Sequence, residues 1–134
     1  MNIKWKESEM KPENKKVVHQ AIATFGRQNQ CMQTIEELIE FEKELFENIH
    51  RGTDNRAKIV EELADVETML EQIKMIYDIK QKEIEEVQDA KISRLKRTIE
   101  KFKLKQEAEK ENQSQIDPKD LIKIHIDRNT SNGK

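Results

Sequence analysis

The chain has 134 residues, the size of one ordinary domain. Charged residues make up 39%, hydrophobic ones 34% and aromatic ones 4%, which is too polar for a large single core and fits long amphipathic helices with charged outer faces. Net charge is −2 with acids and bases nearly balanced, so whole-chain electrostatics gives no strong case for nucleic-acid binding. The single Cys31 excludes an intrachain disulfide framework and fits a reducing compartment. The opening MNIKWKESEMKPENKK lacks the apolar stretch of a signal peptide, and no segment reaches the about 20 apolar residues of a membrane span. These features predict a soluble cytoplasmic protein whose helices bury enough apolar surface only in an oligomer.

Three glycines and two prolines favour helix over turn-rich β structure. Residues 1–12 read as a flexible lead-in ending at Pro12, followed by a helical domain over 13–108 and a polar, partly disordered tail over 109–134. A first helix is predicted from Glu13 to Phe25, with Val17, Val18, Ala21, Ile22 and Phe25 on its apolar side and Gly26 as its stop. A second follows from Arg27 to His50, with Cys31, Ile35, Leu38, Leu45 and Ile49 as its seam. The connector Arg51-Gly52-Thr53-Asp54 turns at Gly52 and offers Thr53 or Asp54 as the next cap. In the third helix Ile59, Leu63, Val66, Leu70, Ile73 and Tyr77 alternate at four and three residues. The short connector predicts an antiparallel hairpin with the second helix. A break is expected at Tyr77–Lys82, with Asp78 as cap. A fourth helix runs from Lys82 to Ala108, with Ile92, Leu95, Ile99 and Phe102 as its seam. Residues 109–115 are expected to fray, Asp117-Pro118 to turn, Leu121–Ile126 to form a short strand or a docked turn, and 129–134 to be disordered.

Two acidic blocks stand out: Glu36-Glu37-Leu38-Ile39-Glu40 and Glu61-Glu62-Leu63-Ala64-Asp65. Residues three apart share a helical face, where like charges repel. A hard cation reverses the sign of that energy, because it takes oxygen ligands. With 27 acids in the chain, other pairs at this spacing also occur, including Glu44/Glu47 and Glu83/Glu86, so spacing alone does not select two of them. Two features do. Both blocks have the form Glu-Glu-x-x-acid, and Glu62 and Asp65 flank the seam of the third helix, where uncompensated carboxylates are costly. On a helical wheel, Glu37 and Glu40 lie opposite the Ile35/Leu38/Leu45/Ile49 stripe. They are therefore not expected to share a simple two-helix seam with Glu62 and Asp65, and the second helix should be covered on both sides.

Residues Glu36–Asp65 resemble the MazG-like all-alpha nucleoside triphosphate pyrophosphohydrolases, whose motif reads EExxE, a spacer, then ExxD. Here it stands as EELIE, twenty-one residues (41–61), then ELAD. The stretches AIATFGRQNQCMQTIEELIEF and EELADVETMLEQI are similar to phage-type members, and the resemblance covers about residues 15–100. It implies an all-α bundle of four to five helices built on an antiparallel hairpin and completed by oligomerisation, as a homodimer or homotetramer. It implies Mg²⁺, with Mn²⁺ as an alternative, on Glu37, Glu40, Glu62 and Asp65, with Glu36 acting through water. Lys58, Lys91 and Arg94 match the basic residues that hold the triphosphate. The implied reaction is a (d)NTP and water giving a (d)NMP and pyrophosphate, in the host cytoplasm if the chain is phage-encoded.

Gln30 and Gln33 precede the first block on its own helical face and are candidates for reading a base edge. Trp5 has no evident role. His19, His50 and His125 lack zinc-type spacing, Cys31 has no nearby His and reads as packing, and no phosphate-binding GxxxxGKS loop is present. The rival reading is a non-enzymatic, coiled-coil-like interaction or assembly protein. A third, nucleic-acid binding through Arg94–Lys105, is weakened by the interleaved Glu100 and the nearby Glu107.

Overall fold

The computed structural model of the chain describes residues 9–115. Among them α1 spans Pro12–Phe25, α2 Arg27–Arg51, α3 Arg56–Ile76 and α4 Gln81–Gln115, with no strand. The all-α expectation holds, and no helix of the described residues is long and apolar enough to cross a membrane. The expectations for Trp5, for Asp117-Pro118, for Leu121–Ile126 and for 129–134 lie outside the described residues. The chain divides into two compact units, Met1–Ile84 and Glu85–Lys134, and the predicted helical domain 13–108 runs across that division.

Two glycines punctuate the first unit. Gly26 has φ 90° and ψ 151°, a region that side chains with a Cβ avoid, and its N–H donates to the Ile22 carbonyl at 2.9 Å. That single residue ends α1 and lets α2 start immediately. Gly52 is left-handed at φ 64° and donates to the Asn48 carbonyl at 3.2 Å, ending α2 one residue beyond the predicted His50.

The connector is secured differently from the sequence expectation. Neither Thr53 nor Asp54 caps α3, which begins behind Asn55 with no side-chain cap. Instead the Asn55 amide donates to the Glu44 carbonyl at 2.9 Å and to Glu44 Oε2 at 2.7 Å. At the far end Arg27 Nη2 donates to the Ile76 carbonyl at 2.7 Å. Residue 44 beside 55 and residue 27 beside 76 fix α2 and α3 as an antiparallel hairpin. α1 packs against both helices. Asn55→Asp keeps the shape but sets a second carboxylate against Glu44. It is expected to destabilise the chain by roughly 2 kcal/mol at neutral pH, with the loss shrinking in acid, as read by urea unfolding.

The hairpin corrects the predicted seam of α2. Gln30 and Thr34 are its buried residues, and Gln33, Glu37, Phe41 and Glu44 are half-buried beside them. Of the predicted seam, Ile35, Leu38, Leu45 and Ile49 are exposed and Cys31 is half-buried, so the apolar side of the helix points outward. Met32, Ile35, Ile39, Phe46 and Ile49 are exposed, Ile39 at 56% and Ile49 at 71%. They follow a three-four spacing that the exposed Glu42 interrupts at its centre. Helix α3 contributes Val66 and Ile76 to the interior, with Ile59 and Ile73 half-buried, while Leu63, Leu70 and Tyr77 of the predicted seam are exposed. α1 adds Val18, and Val17 and Phe25 of its predicted apolar side are exposed. Among the described residues the buried apolar core is therefore Val18, Val66 and Ile76. α3 and α1 together cover a single face of α2, and that face is the polar one.

Helix α4 starts by a half capping box rather than by Asp78. The Lys80 N–H donates to Glu83 Oε2 at 2.7 Å. Asp78 sits at φ 50° and accepts from Lys80 Nζ at 2.8 Å. That hydrogen bond lowers the Asp78 pKa and raises that of Lys80. The helix runs past the predicted end at Ala108 to Gln115, because EKENQSQ contains good helix formers and no breaker before Pro118.

Candidate metal centre

The inward turn of α2's polar side brings the two acidic blocks together. Glu37 from α2 and Glu62 and Asp65 from α3 each offer a carboxylate oxygen, and these lie within 4.8 Å of one another. The expectation that Glu37 could not share a two-helix seam with Glu62 and Asp65 is thereby overturned. The wheel was right about which face Glu37 occupies, but the helix packs through that face.

The three carboxylates have unequal surroundings. Glu62 is buried, Glu37 half-buried and Asp65 exposed. Burial raises the Glu62 pKa most, and the charges of Asp65, Glu37 and Glu40 raise it further. The Lys58 charge opposes the shift, although its ammonium pairs with Glu61 at 3.8 Å from an exposed position. The cluster is thus under-neutralised by the protein's own side chains, which suits a small cation with oxygen ligands.

The other predicted residues fall into place around this cluster in different ways. Glu40 is exposed and outside the close triad, yet near enough for its charge to act on Glu62. Glu36 is exposed on α2. Gln33 Nε2 donates to Glu37 Oε1 at 2.8 Å, so this amide orients a carboxylate of the cluster. That contact escaped the sequence reading, though the four-residue spacing from Gln33 to Glu37 is its signal. Gln30 is buried, and its carbonyl accepts from Thr34 Oγ1 at 2.8 Å. Lys91 and Arg94 are exposed on α4 and belong to the second unit.

No family model, no curated protein and no solved structure matches the chain. Its likeness to the MazG-like enzymes therefore rests on the quoted motifs, beside which the carboxylate cluster stands as an independent physical observation.

Proposed function

We propose that the chain is a Mg²⁺-dependent nucleoside triphosphate pyrophosphohydrolase of the MazG-like kind. The observation that supports this best is the convergence of Glu37, Glu62 and Asp65 from the two motif blocks onto one site. Those three, with Glu40 beside them, would hold the metal. When bound, Mg²⁺ supplies a counter-charge for phosphate oxygens and for charge developing in the transition state.

The remaining roles belong to the protein's side chains. Gln33 holds Glu37 in place. Glu36, Glu37, Glu40, Glu62 and Asp65 form an acidic surround in which a water can be oriented and its proton accepted, and the close members titrate together rather than as one assigned base. Water attacks the α-phosphorus, a new P–O bond forms there, and the bond from the α-phosphorus to the bridging oxygen breaks. The nucleoside monophosphate and pyrophosphate leave, and no covalent intermediate is required. Lys58, one turn before Glu62, is assigned by the motif resemblance to steady the departing pyrophosphate, and Lys91 and Arg94 are assigned the same task.

The same reading includes a second copy of the chain. The outward stripe of Met32, Ile35, Ile39, Phe46 and Ile49 is too long and too regular for a solvated face, and a homodimer or homotetramer would cover it. Incubation with a panel of canonical and modified (d)NTPs, with and without Mg²⁺, tests the activity. Monophosphate and pyrophosphate are expected in equal amounts from at least one nucleotide. Failure to cleave any of them removes the enzyme reading and leaves a helical interaction protein.

A further inference from the structure

The second unit carries a surface that the proposed chemistry does not use. On α4 the residues Ile92, Leu95, Ile99 and Phe102 follow a three-four-three spacing, and all are exposed. None of α4 is buried. Leu95 and Ile99 line a shallow groove with Ile92, Lys96, Glu100 and Lys103. This row is one residue wide, the narrow a/d stripe of a coiled-coil seam rather than the broad face of a helix lying on lipid.

The flanks of the seam are basic on both sides. Lys96 and Lys103 border one edge, and Lys91, Thr98 and Lys105 the other. Over residues 91–105 there are seven Lys and Arg against the single Glu100. In a parallel pair of two α4 seams Lys91 of one copy would oppose Lys96 of the other; in an antiparallel pair each lysine row would face its own kind. Both arrangements set like charges across the interface, so the flanks select against self-pairing. A nucleic acid would engage the lysines and leave the apolar row uncovered. An amphipathic helix with acidic flanks satisfies both the row and its borders.

We propose that the α4 seam is a docking site for an acidic amphipathic helix of a partner protein, with aliphatic residues at three-four spacing and Asp or Glu at the flanking positions. This assignment is independent of the pyrophosphohydrolase reading, because it uses neither the carboxylate cluster nor a nucleotide.

The full-length chain can be titrated with two fluorescent helical peptides that share Leu at the seam positions, one with Glu at the flanks and one with Lys. Anionic phosphatidylserine vesicles and duplex DNA serve as further probes. The acidic peptide is expected to bind at least about tenfold tighter than the basic one. Ile99→Asp should abolish this binding, and Lys96→Glu with Lys103→Glu should weaken it by at least about tenfold. Circular dichroism should show unchanged helix content in both variants, since the altered residues are exposed. Equal affinity for the two peptides, or no binding of either, overturns the assignment. So does vesicle binding lost in Ile99→Asp, which assigns the face to lipid, and DNA binding lost only on charge reversal, which assigns it to nucleic acid. Self-association of the wild-type chain that is lost in Ile99→Asp would assign it to a second copy.

Discussion

Replacing Glu37 by Gln together with Asp65 by Asn is expected to lower pyrophosphate release at least about 10³-fold while raising the thermal midpoint of the metal-free chain. The two effects share one cause. In the absence of a cation the three carboxylates repel one another at close range, so removing two charges relieves the folded state. In its presence the same charges would, under the proposed function, be the ligands. A variant that merely damaged the fold would lose activity and stability together, and differential scanning fluorimetry with and without Mg²⁺ separates the two cases. Wild type should gain stability with Mg²⁺, and the double variant should not.

The pH dependence carries the same signature. Glu62 has its pKa raised above the ordinary 4.5, first by burial and then by Asp65. The native state therefore binds that proton more tightly than the unfolded chain does. The stability it contributes is fully present below 4.5 and is lost as pH rises through the raised native value. Glu62→Gln should remove this slope: in metal-free buffer it should be more stable than wild type at neutral pH and indistinguishable from it in acid. Unfolding midpoints across that range measure the crossover directly.

Ile39→Glu should have the second large effect, on assembly rather than chemistry. Ile39 lies mid-stripe on the outward face of α2 and is exposed in the single chain. If a second copy covers that stripe, a symmetric interface feels the new charge twice, and its dissociation constant should rise by roughly 100-fold. Sedimentation should show a smaller species. The thermal midpoint of wild type should increase with protein concentration, and that of the variant should not. An unchanged mass for both proteins would leave the stripe without a second copy.

Helix positions were largely legible in the sequence, because Gly26, Gly52 and the scarcity of other breakers set three of the boundaries. The orientation of α2 was not. Its periodicity marks the Ile35/Leu38/Leu45/Ile49 side as the face to be buried, and that inference assumes that the nearest helix covers the most apolar face. Here α3 and α1 cover the side carrying Gln30, Thr34 and Glu37 instead. Periodicity reports that a face is apolar, and says nothing of which chain covers it. The carboxylates illustrate the same limit. Repetition of Glu-Glu-x-x-acid identified Glu37, Glu62 and Asp65, but their proximity depended on α2 turning its polar side inward. Caps were the other blind spot: Asn55 and Glu83 act through side chains whose partners, Glu44 and the Lys80 amide, are chosen by tertiary position and by turn geometry.

Hydrolysis in heavy-oxygen water with Mg²⁺ tests the central claim most directly. Cleavage of a nucleoside triphosphate is expected with the solvent label appearing in the nucleoside monophosphate and none in pyrophosphate, and no cleavage when Mg²⁺ is chelated. Label in the pyrophosphate would place the attack at a different phosphorus, and an intact triphosphate across the whole nucleotide panel would contradict the account outright.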